Sequence, residues 1–475
     1  MSSNGRSQVA PLDLVAYGSG NFATGAAMQT LGTYLVFYAT AVLGLPGGAV
    51  GLMVGLSILW DAVTDPLMGY LSDRTGHGGL GRRHPYLIAG ALAIALTNFL
   101  IWNVDRSLGA AGRLALLTAW VLLFKTAMTV YVTPYSALGA ELSTDYNERT
   151  SIQAVKSVFF ILGLAFVSVA GLYWFFRPTA DYPTGQLNPA AYEAMALASS
   201  IAVLASAALC ALLTLKYVPR IRDRDRAFPH RAPEGLKASF ARAFLNRPFR
   251  LVMLAYTFSN LSSALMSNLG LIVFTYTFGL GSGRIALVVG VQFLFAILSQ
   301  KPWAALSARR GKRYALAAGF IMSVAGGLYF CALVLLRDRV GDSPLAFMPF
   351  SVLAGSGIGA LFTLPLAMVA DTVDLDEAAG GERIEGTYFG ALTFAYKFSQ
   401  AAALVLIGLA LDLAGFDSSL AAQGRGTVLA LGLLLGLGAS VSFGAAALVL
   451  RGYGLDEAAV QANRARIRAL RGGGE

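Results

Sequence analysis

Two aspartates stand inside an apolar stretch near the start of this chain, in the segment "SILWDAVTDPLMG". Asp61 and Asp65 are four residues apart, so on a helix their carboxylates share one face and repel each other. Pro66 cannot donate a hydrogen bond to the carbonyl of Ala62, which leaves a third oxygen free beside them. This oxygen-rich group predicts a site for a hard cation, such as a sodium ion, or for a proton. The alternative is a buried structural network in which a basic side chain compensates the carboxylates.

A second segment, "FKTAMTVYVTPYSALGAE", offers groups to face the two carboxylates. On a helix, Lys125, Thr129 and Val132 lie on one stripe, and Pro134 frees the carbonyl of Val130. Thr129 is therefore a candidate ligand of the cation. An ammonium is costly at bilayer depth, so Lys125 either finds an anionic partner or extends its side chain to the outer interface. The sequence leaves both interpretations open.

Other polar side chains also fall within apolar stretches. Lys397 stands near the middle of one of them, too far from either end to reach the interface easily, and is expected to meet an anionic partner or substrate. Residues that would complete a polar lining are Asn21, Thr24, Gln29, Lys156 and Thr393. Each of them also suits a simpler role as a hydrogen-bonding contact between helices.

The elements that hold these residues are predicted to be helices in a membrane. Apolar residues make up 56% of the 475-residue chain and charged ones only 13%, whereas soluble domains have about 25% charged residues. Apolar stretches of roughly 20 residues recur along the chain, as in polytopic membrane proteins. Cys210 and Cys331 lie inside such stretches and are expected to be small core residues. The three histidines fall in polar loops and no nucleophile–base pair can be placed, so we do not expect an enzyme.

Apolar runs between charge clusters predict twelve transmembrane helices in two pseudo-symmetric six-helix bundles. The predicted spans are 12–42, 47–73, 85–104, 112–141, 150–175, 193–217, 249–278, 283–305, 313–336, 345–372, 384–412 and 425–451. This all-α arrangement divides the chain into an N-terminal bundle (1–217), a basic cytoplasmic linker (218–248), a C-terminal bundle (249–451) and a cytoplasmic tail (452–475).

Basic residues concentrate after spans two, six and eight and in the tail, whereas the intervening loops carry few. Because cytoplasmic loops accumulate Lys and Arg, both termini are predicted to be cytoplasmic, in a bacterial inner membrane. This topology accounts for the net charge of +10 without nucleic acid; contact with anionic lipids is the alternative. A weak internal repeat relates "DPLMGYLSDRTGHGGLGRR" to "KPWAALSARRGKR", with Lys301 in the place of Asp65.

Four segments make the chain resemble the glycoside–pentoside–hexuronide:cation symporters, the melibiose-permease family of the major facilitator superfamily. They are "YGSGNFATG", "WDAVTDPLMGYLSDRT", "TPYSALGAELSTDYNERTS" and "ADTVDLDEAAGGERIEGTYFGALTFAYKFSQ", and their order and spacing match along almost the whole chain. The resemblance implies the major facilitator fold with twelve helices, alternating access, and uptake of a sugar or glycoside coupled to sodium, lithium or a proton.

Carried over residue by residue, the resemblance assigns Asp61 and Asp65 to the cation site, with Thr129 as a ligand and Lys397 close by. Val132 stands where the melibiose permease has a third cation-site aspartate, so the site has one formal charge fewer. We therefore hypothesise that Lys125 reaches Asp61 or Asp65 and acts as a tethered cation, which replaces sodium or exchanges with a proton.

The sugar site implied by the resemblance is not reproduced. Its helix-one aspartate corresponds to Asn21, and its two tryptophans correspond to Ser136, beside Tyr135, and to Thr363. Melibiose is therefore not the expected substrate, although these positions are still expected to bind the solute. Charged residues at helix ends are expected to form a cytoplasmic gate; they are Asp73, Arg74, Arg82, Arg83, Glu148, Arg149, Asp371 and Arg383.

The sequence thus predicts a secondary active transporter that moves a sugar-like or glycoside-like solute together with a cation. One alternative is an amphipathic solute, since the same branch of the superfamily includes sodium-dependent lysolipid symporters. Another is a sensor that keeps the fold without transport. No cofactor is expected beyond the coupling ion, a sodium ion or a proton. The expected partners are a small-molecule substrate and the lipid bilayer, not nucleic acid, and a monomer suffices.

Overall fold

Helices form all the regular structure in the described part of the chain. The computed structural model describes residues 9–75, 79–142, 146–227, 243–341, 343–379, 385–417, 420 and 422–472. Twelve long helices run through these residues: α1 (Pro11–Phe37), α2 (Gly47–Arg74), α3 (His84–Ile101), α4 (Ala110–Leu142), α5 (Tyr146–Ala165), α6 (Pro189–Thr214), α7 (Arg247–Ile272), α8 (Ser282–Arg310), α9 (Lys312–Leu335), α10 (Met348–Ala378), α11 (Glu385–Leu413) and α12 (Arg425–Leu450). A short helix, Val218–Ala227, follows α6, and a last helix, α13 (Glu457–Gly472), packs along α10.

The predicted all-α membrane architecture is confirmed. Eleven helices of the described chain are long and apolar enough to cross a bilayer. Helix α1 is the twelfth, and its 27 residues would cover about 40 Å, which also suffices. It falls below the others in hydropathy because its sequence contains polar residues such as Asn21, Thr24 and Gln29.

Counting the π-helical turns that extend α1, α5 and α7, the predicted helix ends agree with the structure to within six residues, and differences of four to six residues occur at the starts of α5 and α6 and at the ends of α8 and α10. Helix α10 was expected to end at Thr372 but continues to Ala378, through the acidic sequence "VDLDEA". Helix α5 was expected to begin at residue 150 and already begins at Tyr146. Charged residues indicate where an apolar span ends, but they do not end a helix, because helical hydrogen bonds continue in water.

The chain forms two compact units, each with six of the long helices. In the first unit α1 packs on α5 and α6, while α3 packs on α4 and α6. In the second unit α7 packs on α11 and α12, while α9 packs on α10 and α12. Helices α1 and α7 also both run into a π-helical turn, at Tyr38–Val42 and Val273–Thr277. Each unit therefore repeats one six-helix arrangement.

The close approach of α1 and α5 depends on two glycines. A Cβ atom at Gly25 would lie 2.3 Å from the carbonyl oxygen of Phe160, and one at Gly163 would lie 2.4 Å from that of Phe22. The two backbones touch here, as is common where small residues line a membrane-helix interface. The contact brings Asn21 of α1 against the backbone of α5.

Replacing Gly163 by valine is expected to lower the melting temperature of the purified protein. The added side chain would collide with the backbone of α1, and such overpacking typically costs about 1–3 kcal/mol. Thermal unfolding followed by tryptophan fluorescence measures the effect. Gly444→Val is the matched control, because a Cβ atom there meets nothing within 4 Å. Equal losses in the two variants would contradict the role assigned to the α1–α5 contact.

Candidate functional site

Asp61 and Asp65 of α2 are both held by side chains of α4. Lys125 Nζ donates to Asp61 Oδ2 at 3.0 Å, and Thr129 Oγ1 donates to Asp65 Oδ1 at 2.7 Å. Both pairs follow the same spacing of four residues, so one turn of α2 meets one turn of α4. The side chains of Lys125 and Asp61 are 22% and 11% exposed. Lys125 therefore meets one of its two predicted partners and does not extend to the interface.

Two further contacts fix the register of α2 against α4. Trp60 Nε1 donates to Thr126 Oγ1 at 2.9 Å, and the hydroxyl oxygens of Thr64 and Thr129 are 3.3 Å apart. On α2, Trp60 and Thr64 directly precede the two aspartates. A shift of α4 by one turn would therefore break four side-chain contacts together.

The formal charges of Asp61, Asp65 and Lys125 bear on which cation these three side chains suit. In their usual protonation states, Asp61, Asp65 and Lys125 sum to one negative charge, so one proton or one monovalent ion neutralises them. Among the described residues, no three or more His, Cys, Asp or Glu side chains are arranged to hold a metal ion. A sodium ion here would thus need Thr129 and backbone carbonyl oxygens in addition to the two carboxylates.

A second polar group lies further along α4. Lys156 of α5 donates to Ser136 Oγ at 3.1 Å, and its Nζ is 5.2 Å from the ring centroid of Tyr135. Asn21 Nδ2 donates to the carbonyl oxygen of Lys156 at 2.9 Å. Thr129 and Ser136 are two helical turns apart on α4, so they share a face and are separated by about 10 Å along its axis.

Tyr135 is fully buried in a stack of tyrosines. Its ring lies 4.6 Å from that of Tyr17 and 5.7 Å from that of Tyr131, measured between centroids. The hydroxyl of Tyr135 donates to the carbonyl oxygen of Tyr17 at 2.9 Å, and the hydroxyl of Tyr17 donates back to that of Tyr135 at 3.1 Å. The part of Tyr135 that contacts Lys156 is its ring face, above which the Nζ atom of Lys156 lies. Sequence reasoning missed Tyr17 and Tyr131.

The remaining predicted substrate-binding residues are separated between the two units. Thr24, in the first unit, is buried, and its hydroxyl lies 3.5 Å from a carbonyl oxygen of its own helix. In the second unit, the hydroxyl of Thr363 donates to Gln300 on α8, and that of Thr393 donates within α11. Lys397 is a partly exposed residue of α11. Their binding roles stay predictions.

Two arginines share one carboxylate where α2 turns into α3. Glu141 Oε1, in the last turn of α4, accepts from Arg82 Nη2 at 2.7 Å and from Arg83 Nη2 at 2.8 Å. Arg83 Nη1 also donates to Ser72 Oγ at 2.8 Å. Gly81 allows this turn, since its φ of +71° is rarely adopted by other residues. All three charged side chains are buried.

The second unit repeats this arrangement. Gly311, with a φ of +86°, precedes Lys312, whose Nζ lies 2.5 Å from Asp371 Oδ2 of α10. Sequence reasoning predicted Asp371 as a gate residue but missed Glu141 and Lys312. The signal for Lys312 was the repeat itself, in which a glycine and two basic residues follow the second and the eighth helix, whereas Glu141 lies outside the repeated segments. The side chains of Asp73, Arg74, Glu148 and Arg149, and the whole of Arg383, lie outside the described residues.

His84 corrects one expectation and the cysteines confirm another. His84 is not in a polar loop: it begins α3, is 1% exposed, and its Nε2 lies 2.9 Å from Thr214 Oγ1. The neighbouring arginines suggest a loop, but Pro85 suits the first turn of a helix. Cys210 and Cys331 are free and buried, as predicted.

Two repeated six-helix units with ionisable side chains inside the bundle define the class of multi-pass membrane transporters. The chain belongs to the MFS/sugar transport protein family, whose model matches residues 16–457.

Several proteins that are similar in sequence to this chain are named as symporters. The chain is 26% identical to sodium-dependent lysophosphatidylcholine symporter 1-A of Danio rerio, over 94% of this chain and 87% of that protein. It is 25% identical to the inner membrane symporter YicJ of Escherichia coli, over 87% and 85%. Among solved structures, the xylose transporter XylE of E. coli in an inward-open conformation matches with a TM-score of 0.65 at 12% identity, covering 96% of this chain and 98% of that one. That likeness shows the fold.

Proposed function

We propose that this chain moves a small solute across the membrane together with a cation, by alternating access, and that Asp61 and Asp65 bind the cation. One observation carries the proposal. The two carboxylates lie one turn apart inside a helical bundle, and Lys125 and Thr129 of α4 hold one each. Carboxylates in such places are costly and mark ion pathways. The net charge of −1 of the group suits one proton or one sodium ion.

Helix α4 connects this ion site with the solute candidates. It carries Lys125 and Thr129 on the same face as Ser136, which contacts Lys156. Cation and solute binding become coupled when both favour the same position of α4. A sugar-like polar solute remains the leading substrate class, because the candidate solute-binding residues of the first unit carry hydroxyl, amide and ammonium groups.

An amphipathic solute is the second candidate. The observation that favours it is the similarity, over most of the chain, to symporters named for lysophosphatidylcholine.

The orientation of the chain in the membrane is part of the proposal as well. The basic turns that precede α3 and α9 support a cytoplasmic position for both termini under the positive-inside rule, and a bacterial symporter among the relatives supports an inner membrane.

Uptake into proteoliposomes tests the proposal. Labelled methyl glucoside, glucuronate and lysophosphatidylcholine are offered under an imposed proton or sodium gradient. Asp65→Asn is expected to reduce gradient-driven uptake at least about tenfold, because a neutral amide loses the charge-assisted contact with the cation. The control is Asp105→Asn, in an exposed loop, which should transport normally. Unchanged gradient-driven uptake in Asp65→Asn would contradict the assignment, and no uptake of any probe by the folded wild-type chain would favour the sensor.

A further inference from the structure

Lys156 carries an ammonium that no carboxylate of the described residues accompanies. Within the described chain, its side chain has two partners: the hydroxyl of Ser136, at 3.1 Å, and the ring of Tyr135, at 5.2 Å from the centroid. No described Asp or Glu lies within ion-pair distance of it. The helix that packs closely against this part of α5 is α1, and it contributes the neutral amide of Asn21.

Three buried carboxylates of the same unit each pair with a cation. Asp13 pairs with Lys216 at 2.7 Å, Asp61 pairs with Lys125 at 3.0 Å, and Glu141 pairs with two arginines. Helix α1 has no acidic residue beyond Asp13, at its first turn. Lys156 differs from Lys125, Arg82 and Arg83 of this unit in having no described carboxylate partner.

Neutral groups satisfy only part of what an ammonium requires. It has three N–H donors, of which Ser136 accepts one, and a tyrosine ring supplies a weak electrostatic contact. Enclosing the charge without a counter-charge is unfavourable, unless a ligand brings one. We infer that the solute does so: the geometry points to a substrate with an anionic oxygen group, a carboxylate or a phosphate, that accepts hydrogen bonds from Lys156 beside Ser136.

The position of Lys156 agrees with this assignment. Its partner Ser136 lies about 10 Å along α4 from Thr129, which holds the Asp65 carboxylate. The coupling cation at Asp61 and Asp65 and the anionic group of the solute would therefore bind at separate positions along α4. The inference rests on the proposed function for the transport step, whereas its central claim is about binding.

Matched probes distinguish a solute that carries a carboxylate from one that carries a phosphate. Glucuronate carries a carboxylate and methyl glucoside does not. Lysophosphatidylcholine carries a phosphate and a monoacylglycerol of equal chain length does not. The full chain in lipid nanodiscs is titrated with each probe, and the melting temperature is followed. One anionic probe is expected to stabilise the wild-type chain while its neutral counterpart leaves the melting temperature unchanged.

Lys156→Met should weaken this stabilisation by about tenfold to a hundredfold in apparent affinity, the usual effect of losing a hydrogen bond to a charged group. Lys156→Arg should retain most of it, because the charge remains. Lys216→Met, which removes an ammonium already paired with Asp13, should leave the response unchanged. Without ligand, Lys156→Met should melt no lower than the wild-type chain, since the variant loses a charge that has no described counter-charge.

Several results would overturn the inference: equal stabilisation by the charged and neutral probes of a pair, an unaltered response in Lys156→Met, or no stabilisation of the wild-type chain by any of the four. A clear drop in the melting temperature of ligand-free Lys156→Met would do so too, because it would show a structural counter-charge. These are equilibrium measurements, so they are independent of the uptake assay of Asp65→Asn. Failure of the proposed coupling and failure of anion recognition are thereby distinguished.

Discussion

Replacing Glu141 by glutamine is expected to lower the free energy of unfolding by about 3–5 kcal/mol, the cost typical of removing one partner from a buried ion pair. Arg82 and Arg83 are 7% and 4% exposed. Both would keep their charges while the carboxylate oxygen that accepts from both of them is lost. The amide also presents N–H groups, which repel guanidinium donors. Equilibrium unfolding in mixed detergent and SDS measures the loss.

The matched control is Glu193→Gln, at an exposed position near the start of α6, which should leave the unfolding curve unchanged. Glu141→Asp keeps the charge on a shorter side chain and should fall between the two. A wild-type unfolding curve for Glu141→Gln would show that the arginines are compensated in another way. The turn between α2 and α3 would then lose its assigned role in holding the end of α4.

Replacing Lys125 by methionine is expected to change which cation the protein binds. The variant keeps Asp61 and Asp65 but loses the ammonium 3.0 Å from Asp61, so the group carries two negative charges instead of one. A pair of carboxylates with a threonine hydroxyl attracts a hard cation more strongly. Sodium chloride should therefore raise the melting temperature of Lys125→Met above the value in choline chloride. The wild-type chain should show little difference.

The same variant should also be less stable without sodium, by up to about 3 kcal/mol, the lower bound for breaking a fully buried pair, because both side chains retain some solvent exposure. Lys125→Arg is the control, since a guanidinium preserves the ion pair. If sodium stabilises the wild-type chain as much as Lys125→Met, Lys125 does not take the place of a cation. Sodium-stimulated uptake of equal size in both proteins would lead to the same conclusion.

The sequence alone determined the twelve long helices. Stretches of about 20 apolar residues between charged turns have one stable solution in a bilayer, because every backbone polar group must be satisfied within its own helix. It also determined that Asp61 and Asp65 share a face, since a spacing of four residues fixes their relation on a helix. Local spacing was sufficient for both conclusions.

Only the tertiary structure decided which side chains Asp61 and Asp65 contact. The sequence allowed Lys125 to reach Asp61, Asp65 or the interface, and the packing of α2 on α4 selected Asp61 and gave Asp65 to Thr129. In the same way, the sequence does not single out Glu141, and it offers Lys156 only as one of several polar candidates. One proves to be shared by two arginines, and the other to have no described carboxylate partner. Such pairings depend on the register between helices that are distant along the chain, and the periodicity within one helix carries no information about that register.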